Sequence, residues 1–246
     1  MKTKIIINEE KQVVTAVTNV RRKLVKDARR YNIDVYNFPT EVAGVAYVRD
    51  VDVFDPVIGQ RVAVAKAEKE YLNNLLNTKD VGLRDNLKTL SQIVGEYDEF
   101  ISDLTSRKIA MMKAIDEMFI SDINGDIQHS IDEKEGLTVA YARMSDVLSK
   151  KIINRAYNLL GYYLSHEVLN KNVYGTAKLN KEHDTFNKEM GIAVAEKKMY
   201  SNMLGVLIGE LKQLKQVILE EAFRAQQSVL EVERRRDFVL ENLKTF

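Results

Sequence analysis

The sequence predicts a mainly α protein, a long-helix bundle or coiled coil carrying a small α+β head at its N-terminus. Three observations carry that expectation. Leu83, Leu87, Leu90, Val94, Tyr97, Ile101 and Leu104 recur at alternating steps of four and three, the apolar a/d seam of a coiled coil. A second ladder closes the chain, from Leu204, Leu207, Leu211, Leu214 and Ile218 to Ala222, Ala225, Val229, Val232, Val239 and Leu243. The only two prolines, Pro39 and Pro56, lie in the first quarter, so the strongest helix breaker is absent from everything after Pro56. The expected division is a head over residues 1–78 and a bundle over residues 79–246.

In the head, Lys4–Asn8 and Val13–Thr18 are β-branched runs joined by a polar Glu9-Glu10-Lys11 turn, which reads as a β-hairpin. Asn19 is placed to cap a short helix through Tyr31, with Val20, Leu24, Val25 and Ala28 on its apolar face. Its other face is basic, with Arg21, Arg22, Lys23, Lys26, Arg29 and Arg30. Val42–Val48 is β-like again, and Pro56 opens a helix expected to run to Asn77. Beyond the head, a helix is expected over 82–121 and a polar connector over Ser121–Glu135. A further helix is expected over 136–170, a loop over Asn170–Asn180 and a last helix over 182–246, with interruptions near Gly205 and Gly209. Three long amphipathic helices in one chain can satisfy one another, so both ladders read first as walls of an intramolecular bundle and second as an oligomer seam.

Composition narrows the function classes. A net charge of +1 argues against a protein built to hold nucleic acid by bulk electrostatics. The absence of cysteine excludes disulfides and thiol catalysis. The apolar run near the N-terminus is broken by Asn8, Glu9 and Glu10, and no stretch approaches about 20 apolar residues, so neither a signal peptide nor a membrane span is expected.

The least generic stretch is Gly44–Ala67. In it, Phe54 is set to staple onto a helix start, Asp55 to cap it, Pro56 to fill its first turn and Gly59 to thin it for close packing on a sheet. Asn8–Thr15 and Asp52–Ala67 together resemble a pattern in small uncharacterised proteins of bacteriophages and prophages. There a hairpin leads through a strand and an Asp-x-Phe-Asp-Pro-x-x-Gly turn into an alanine-rich helix. The resemblance covers the first third of the chain. It implies a viral origin and a place of action in the bacterial cytoplasm, and it implies no activity. The chain departs from the pattern by an insertion around Arg21–Thr40 and by everything after Asn77. Phe186–Gly191 repeats the Phe-x4-Gly spacing, and Gly136 also precedes a Val/Ala-rich run. The reading favoured for this recurrence is that alanine-rich helix starts look alike, with duplication as the alternative.

Little in the chain carries chemistry. Asp122–Glu133 has oxygen-bearing side chains at the spacing of a calcium loop, but Ile127 stands where that loop needs glycine, so a solvated turn is the better reading. His129, His166 and His183 form no metal spacing. There is no phosphate-cradling glycine loop and no nucleophile elbow, so neither catalytic residues nor a cofactor or metal is expected. Tyr157, Tyr162 and Tyr163 read as core and boundary residues. The function expected is therefore non-enzymatic: a phage-encoded interaction protein that binds a host bacterial protein complex and counters host defence. One alternative is a scaffold or virion protein that self-associates through its helices into homo-oligomers. Another is a nucleic-acid or nucleotide-binding module centred on Arg21–Arg30.

Overall fold

The computed structural model describes residues 2–34, 36, 38–48, 53–78, 82–116, 125–179, 185 and 187–245. The chain forms two compact units, Met1–Gln92 with Leu219–Phe246, and Ile93–Ile218. The first contains β1 (Lys2–Asn8), β2 (Val13–Asn19), α1 (Arg21–Tyr31), β3 (Glu41–Tyr47) and α2 (Pro56–Asn77). The second contains β4 (Gln128–Asp132), β5 (Leu137–Arg143), three short helices and β6 (Asn172–Lys178). Those helices are α4 (Met144–Val147), α5 (Lys150–Leu160) and α6 (Tyr162–Leu169). Two long helices, α3 (Leu83–Asp116) and α7 (Lys188–Lys244), each contribute one stretch to either unit.

In unit 1 the three strands pair antiparallel in the order β1-β2-β3. The hairpin turn is fixed by Asn8 Oδ1, which accepts from Lys11 N at 2.9 Å, and by Gln12 in a left-handed conformation at φ 52°. Val14, Ala16, Val42, Gly44 and Ala46 face inward, and α2 lies across them. These inner residues are small because the helix comes very close. A Cβ on Gly44 would sit 2.0 Å from the Ala63 carbonyl oxygen and 2.4 Å from the Ala67 nitrogen. A larger core gathers Leu24, Tyr31, Phe38 and Tyr71 with Leu72, Leu75, Leu76, Leu83, Val229 and Val232.

Unit 2 repeats this plan position by position. Its strands pair antiparallel in the order β4-β5-β6, with Gly175 opposite Ala140 as Gly44 is opposite Ala16. Asp132 Oδ1 caps the hairpin turn as Asn8 does, and Gly136 takes the left-handed place of Gln12 at φ 62°. Each sheet is tied to the end of its third strand by one bond, Val48 N to Gln12 O at 3.3 Å and Leu179 N to Gly136 O at 2.8 Å. Each helical insert is closed by one bond, Val20 N to Thr40 O at 2.9 Å and Met144 N to Lys171 O at 3.1 Å. The covering helices start alike as well: Asp55 and Asn187 accept from backbone N–H groups of the first turn. Above Gly175, a Cβ would meet the Ala195 oxygen at 2.1 Å and the Met199 nitrogen at 2.2 Å. Agreement at turn, register, cap and helix approach is more than resemblance between alanine-rich helix starts, so the Gly59/Gly191 recurrence marks a duplicated β-β-insert-β-α plan. Gly136 does not lead a helix; it closes a hairpin and leads β5.

Several expectations are corrected. The head expected to end at residue 78 instead draws on the C-terminus of the chain, and residues 79–246 hold a second sheet as well as helices. The helix expected over 136–170 is β5 followed by three helices, with Gly161 at φ 74° separating α5 from α6. The loop expected over Asn170–Asn180 contains β6. Helix α7 runs through Gly205 and Gly209 without a break. At α1 the N-cap residue is Val20, while Asn19 Oδ1 accepts from Arg21 N–H at 3.2 Å. Val25 is exposed, and Asp27 and Tyr31 are buried in its stead.

The first ladder is shared between two cores. Leu83 and Leu87 pack in unit 1, while Tyr97, Ile101 and Leu104 pack in unit 2 with Ile93 and Phe100 beside them. Leu90 and Val94 are half-buried and belong to neither core. Leu204, Leu207 and Leu211 of the second ladder are fully buried in unit 2, and Val229, Val232 and Val239 are buried in unit 1. Both ladders are thus divided between the two cores.

Candidate functional site

The basic helix α1 is anchored from beneath. Asp27, only 6% exposed, accepts a hydrogen bond from the Tyr71 hydroxyl at 2.9 Å. The Arg235 guanidinium lies 3.8 Å from the same carboxylate and donates to the Tyr31 hydroxyl at 3.1 Å. A buried carboxylate needs such partners, and this one joins α1 to α2 and α7 within unit 1. Burial raises the Tyr71 pKa, and the neighbouring Asp27 raises it further. Burial also raises the Tyr31 pKa, against the pull of Arg235.

The six basic residues divide into two sets. Lys23 pairs with Glu68 at 3.2 Å and lies over the Tyr71 ring, and Arg30 pairs with Glu231 at 2.7 Å. Arg21, Arg22, Lys26 and Arg29 are exposed and make no ion pair among the described residues. The helix-start motif is structural. Asp55 Oδ1 accepts from the N–H groups of Val57 and Ile58 at 2.7 and 3.2 Å, Pro56 opens the helix, and Gly59 passes over Val14. Phe54 does not staple onto the first turn, because the residue it would meet there is Gly59; it packs instead with Val14, Ala16, Ala46 and Ala63.

Each sheet is covered by a helix on one face and open on the other. In unit 1 the open face carries Ile6, Val13, Thr15, Val17, Val45 and Tyr47, with Tyr47 70% exposed. In unit 2 it carries Val139, Tyr141, Arg143, Tyr174 and Thr176, with Tyr141 directly opposite Tyr174 and Tyr174 65% exposed. These faces lay beyond the sequence reading for unit 2, because that sheet was not expected. The rule that would have found them is the repeat itself, carried from β2 to Leu137–Arg143.

Unit 2 also has a cavity of about 440 Å³ beside the start of α7, bordered by Thr138, Lys178, Asn187, Gly191 and Lys198. Thr138 is 1% exposed, and its Oγ1 is the one buried side-chain polar atom among the described residues without a hydrogen-bond partner. On α5 and α6, Tyr157, Tyr162 and His166 stack at centroid separations of 5.8 and 6.0 Å. Tyr162 and Tyr163 are strongly exposed there, where core and boundary residues were expected.

The stretch expected as a solvated turn is in part a strand. Gln128–Asp132 of the calcium-like stretch is a strand paired to β5, and an extended backbone cannot wrap those oxygens around one ion. Residues 122–124 of that stretch, like His183 and Phe186, lie outside the described residues. His129 bonds Glu196 at 2.9 Å. Among the described residues no group of three or more His, Cys, Asp or Glu is placed to hold a metal ion, and no helix is long and apolar enough to cross a membrane. Comparison with protein-family models, curated proteins and solved structures finds no match to the chain.

Proposed function

We propose that the chain is a non-enzymatic interaction protein that works by binding through its open sheet faces. The observation that supports this is the repeated one: both units cover one sheet face with a helix and leave apolar and aromatic side chains exposed on the other. A lone exposed apolar residue means little, but a contiguous face of them is what partners cover. The partner class is a host bacterial protein complex, with countering host defence as the use; both rest on the resemblance of Asn8–Thr15 and Asp52–Ala67 to phage proteins. The test places a photo-crosslinking residue at Tyr47 or Tyr174 in a bacterial host, with Glu70 and Lys212 as exposed controls. Discrete adducts of one protein from the sheet positions and none from the helix controls are expected. Equal labelling at all positions, or none at Tyr47 and Tyr174, refutes the proposal.

One observation favours a second reading. The exposed Arg21, Arg22, Lys26 and Arg29, which make no ion pair among the described residues, form a basic helix face suited to nucleic-acid phosphates. Reversing the charge at all four would then abolish a salt-sensitive binding that the sheet substitutions leave intact.

A further inference from the structure

We propose that unit 1 pairs with unit 1 of a second copy of the chain, β1 edge to β1 edge and antiparallel. The inference concerns a strand edge and does not rest on the open sheet faces. β1 is an outer strand, bonded to β2 alone. The bonds Val20 N to Thr40 O and Val48 N to Gln12 O fall in the β2–β3 register, so even-numbered residues of β2 bond to β3 and odd-numbered ones to β1. The β1 residues opposite those odd-numbered ones are Lys2, Lys4, Ile6 and Asn8. Thr3, Ile5 and Ile7 therefore turn their backbone N–H and C=O groups outward, where no strand meets them. Every residue of β1 except Ile5 is exposed.

The duplicated plan shows the same edge guarded in unit 2 and bare in unit 1. β4 stands where β1 stands, with five residues against seven. The shared register sets His129 at the place of Ile5 and Ser130 at that of Ile6, and the shared helix start sets Glu196 at the place of Val64. His129 bonds Glu196 at 2.9 Å. A short, polar strand with such a pair on its inner side resists the addition of another strand. Unit 1 has Ile5, Ile6, Ile7 and Val64 instead, with Ile6 47% and Ile7 40% exposed. The far edge of its sheet is blunted, because the outward carbonyl of Val45 in β3 accepts from Lys66 Nζ at 2.8 Å. The charges at the two ends of β1 select the occupant. Lys2 and Lys4 stand at one end, and Glu9 and Glu10 in the turn at the other. An antiparallel second copy lays the lysines of each chain beside the glutamates of the other, at both ends at once, whereas a parallel copy sets lysine beside lysine. Centred on Ile5, the pairing places Thr3 opposite the partner's Ile7, and Thr3, Ile5 and Ile7 of both copies each donate and accept a backbone bond.

The test is sedimentation equilibrium and amide hydrogen exchange on the full chain, over a roughly hundredfold range of concentration up to about 1 mM. A reversible monomer–dimer equilibrium is expected. As the dimer fills, exchange at Thr3, Ile5 and Ile7 should slow at least about tenfold, while His129 and Ile131 on the corresponding edge of β4 stay unchanged. Lys2→Glu with Lys4→Glu should weaken the dimer at least about tenfold, as should Glu9→Lys with Glu10→Lys, and all four together should restore it. All four side chains are exposed, and the wild-type exchange result stands should a variant fail to fold. A chain that stays monomeric to the highest concentration leaves the edge to a foreign strand and overturns the proposal. So does a dimer without slower exchange at Thr3, Ile5 and Ile7. Charge reversals that leave the affinity of a folded variant unchanged, or a fourfold exchange that fails to restore it, overturn it as well.

Discussion

Placing a methyl group at Gly44 tests how closely α2 lies on its sheet. The added Cβ would stand 2.0 Å from the Ala63 oxygen, 2.4 Å from the Ala67 nitrogen and 2.9 Å from the Lys66 carbonyl carbon, all backbone atoms. Ordinary contact begins near 3.4 Å, so no rotamer change relieves the clash; the helix must retreat by roughly 1.4 Å. A gap of that size forfeits half or more of the dispersion along the Ala63 and Ala67 contact, on top of the strain. We expect Gly44→Ala to cost about 3–5 kcal/mol, in the range reserved for core disruption. For a chain of this size that lowers the unfolding midpoint by roughly 6–20 °C. Gly175→Ala should act alike, since its Cβ would meet the Ala195 oxygen at 2.1 Å. Gly95 and Gly209 are the controls: both are helical with nothing within 4 Å, so alanine there should stabilise by about 0.5–1 kcal/mol. Thermal unfolding followed by circular dichroism reads all four variants. Gly44→Ala and Gly175→Ala melting with the wild type would refute the close approach.

Other substitutions test the polar interior. Tyr71→Phe removes the donor to the buried Asp27 carboxylate and should cost about 1.5–3 kcal/mol by urea unfolding; an unchanged midpoint would show that Arg235 suffices alone. Tyr71 and Tyr31 have pKa values raised in the fold above the ordinary 10.0, so the folded state keeps protons that the unfolded state releases. Their contribution is therefore complete below about pH 10 and is lost as pH climbs through the folded values. Stability measured from pH 8 to 11 should fall on the alkaline side, and Tyr71→Phe should flatten that fall. Thr138→Val should stabilise the protein by about 1–3 kcal/mol, because it removes a buried hydroxyl without a partner; destabilisation would mean the hydroxyl is satisfied.

The first third of the chain was legible because its signals are local. The β-branched hairpin, the Asp55-Pro56 start and the end of α2 at Asn77 are where the residues place them. The second sheet was not, and the reason lies in which side chains face inward. In Leu137–Arg143 the buried positions are Thr138, Ala140 and Ala142, while Leu137, Val139 and Tyr141 face away from α7. The close helix demands small residues inside, which inverts the usual large-in, polar-out alternation, and the run then passes for an alanine-rich helix. Strand β4 is polar on an edge and hid within a calcium-like spacing. The ladders of α3 and α7 marked real helices, but a four-three repeat is the same whether it faces one partner or two successive cores. Of the basic patch, sequence spacing supplied the helix but not its anchor, because Asp27 meets Tyr71 and Arg235 only through tertiary contact. The orphaned Thr138 has no sequence signal at all until Val14 is set beside it.

The duplicated plan is the claim on which the open faces and the contrast between the β1 and β4 edges both depend, and cross-strand nuclear Overhauser contacts in the labelled protein test it most directly. Contacts between Ala140 and Gly175 should appear alongside those between Ala16 and Gly44, with extended-strand carbon shifts through 137–143 and 172–178. Helical shifts and sequential amide contacts running unbroken from 136 to 170 would contradict it.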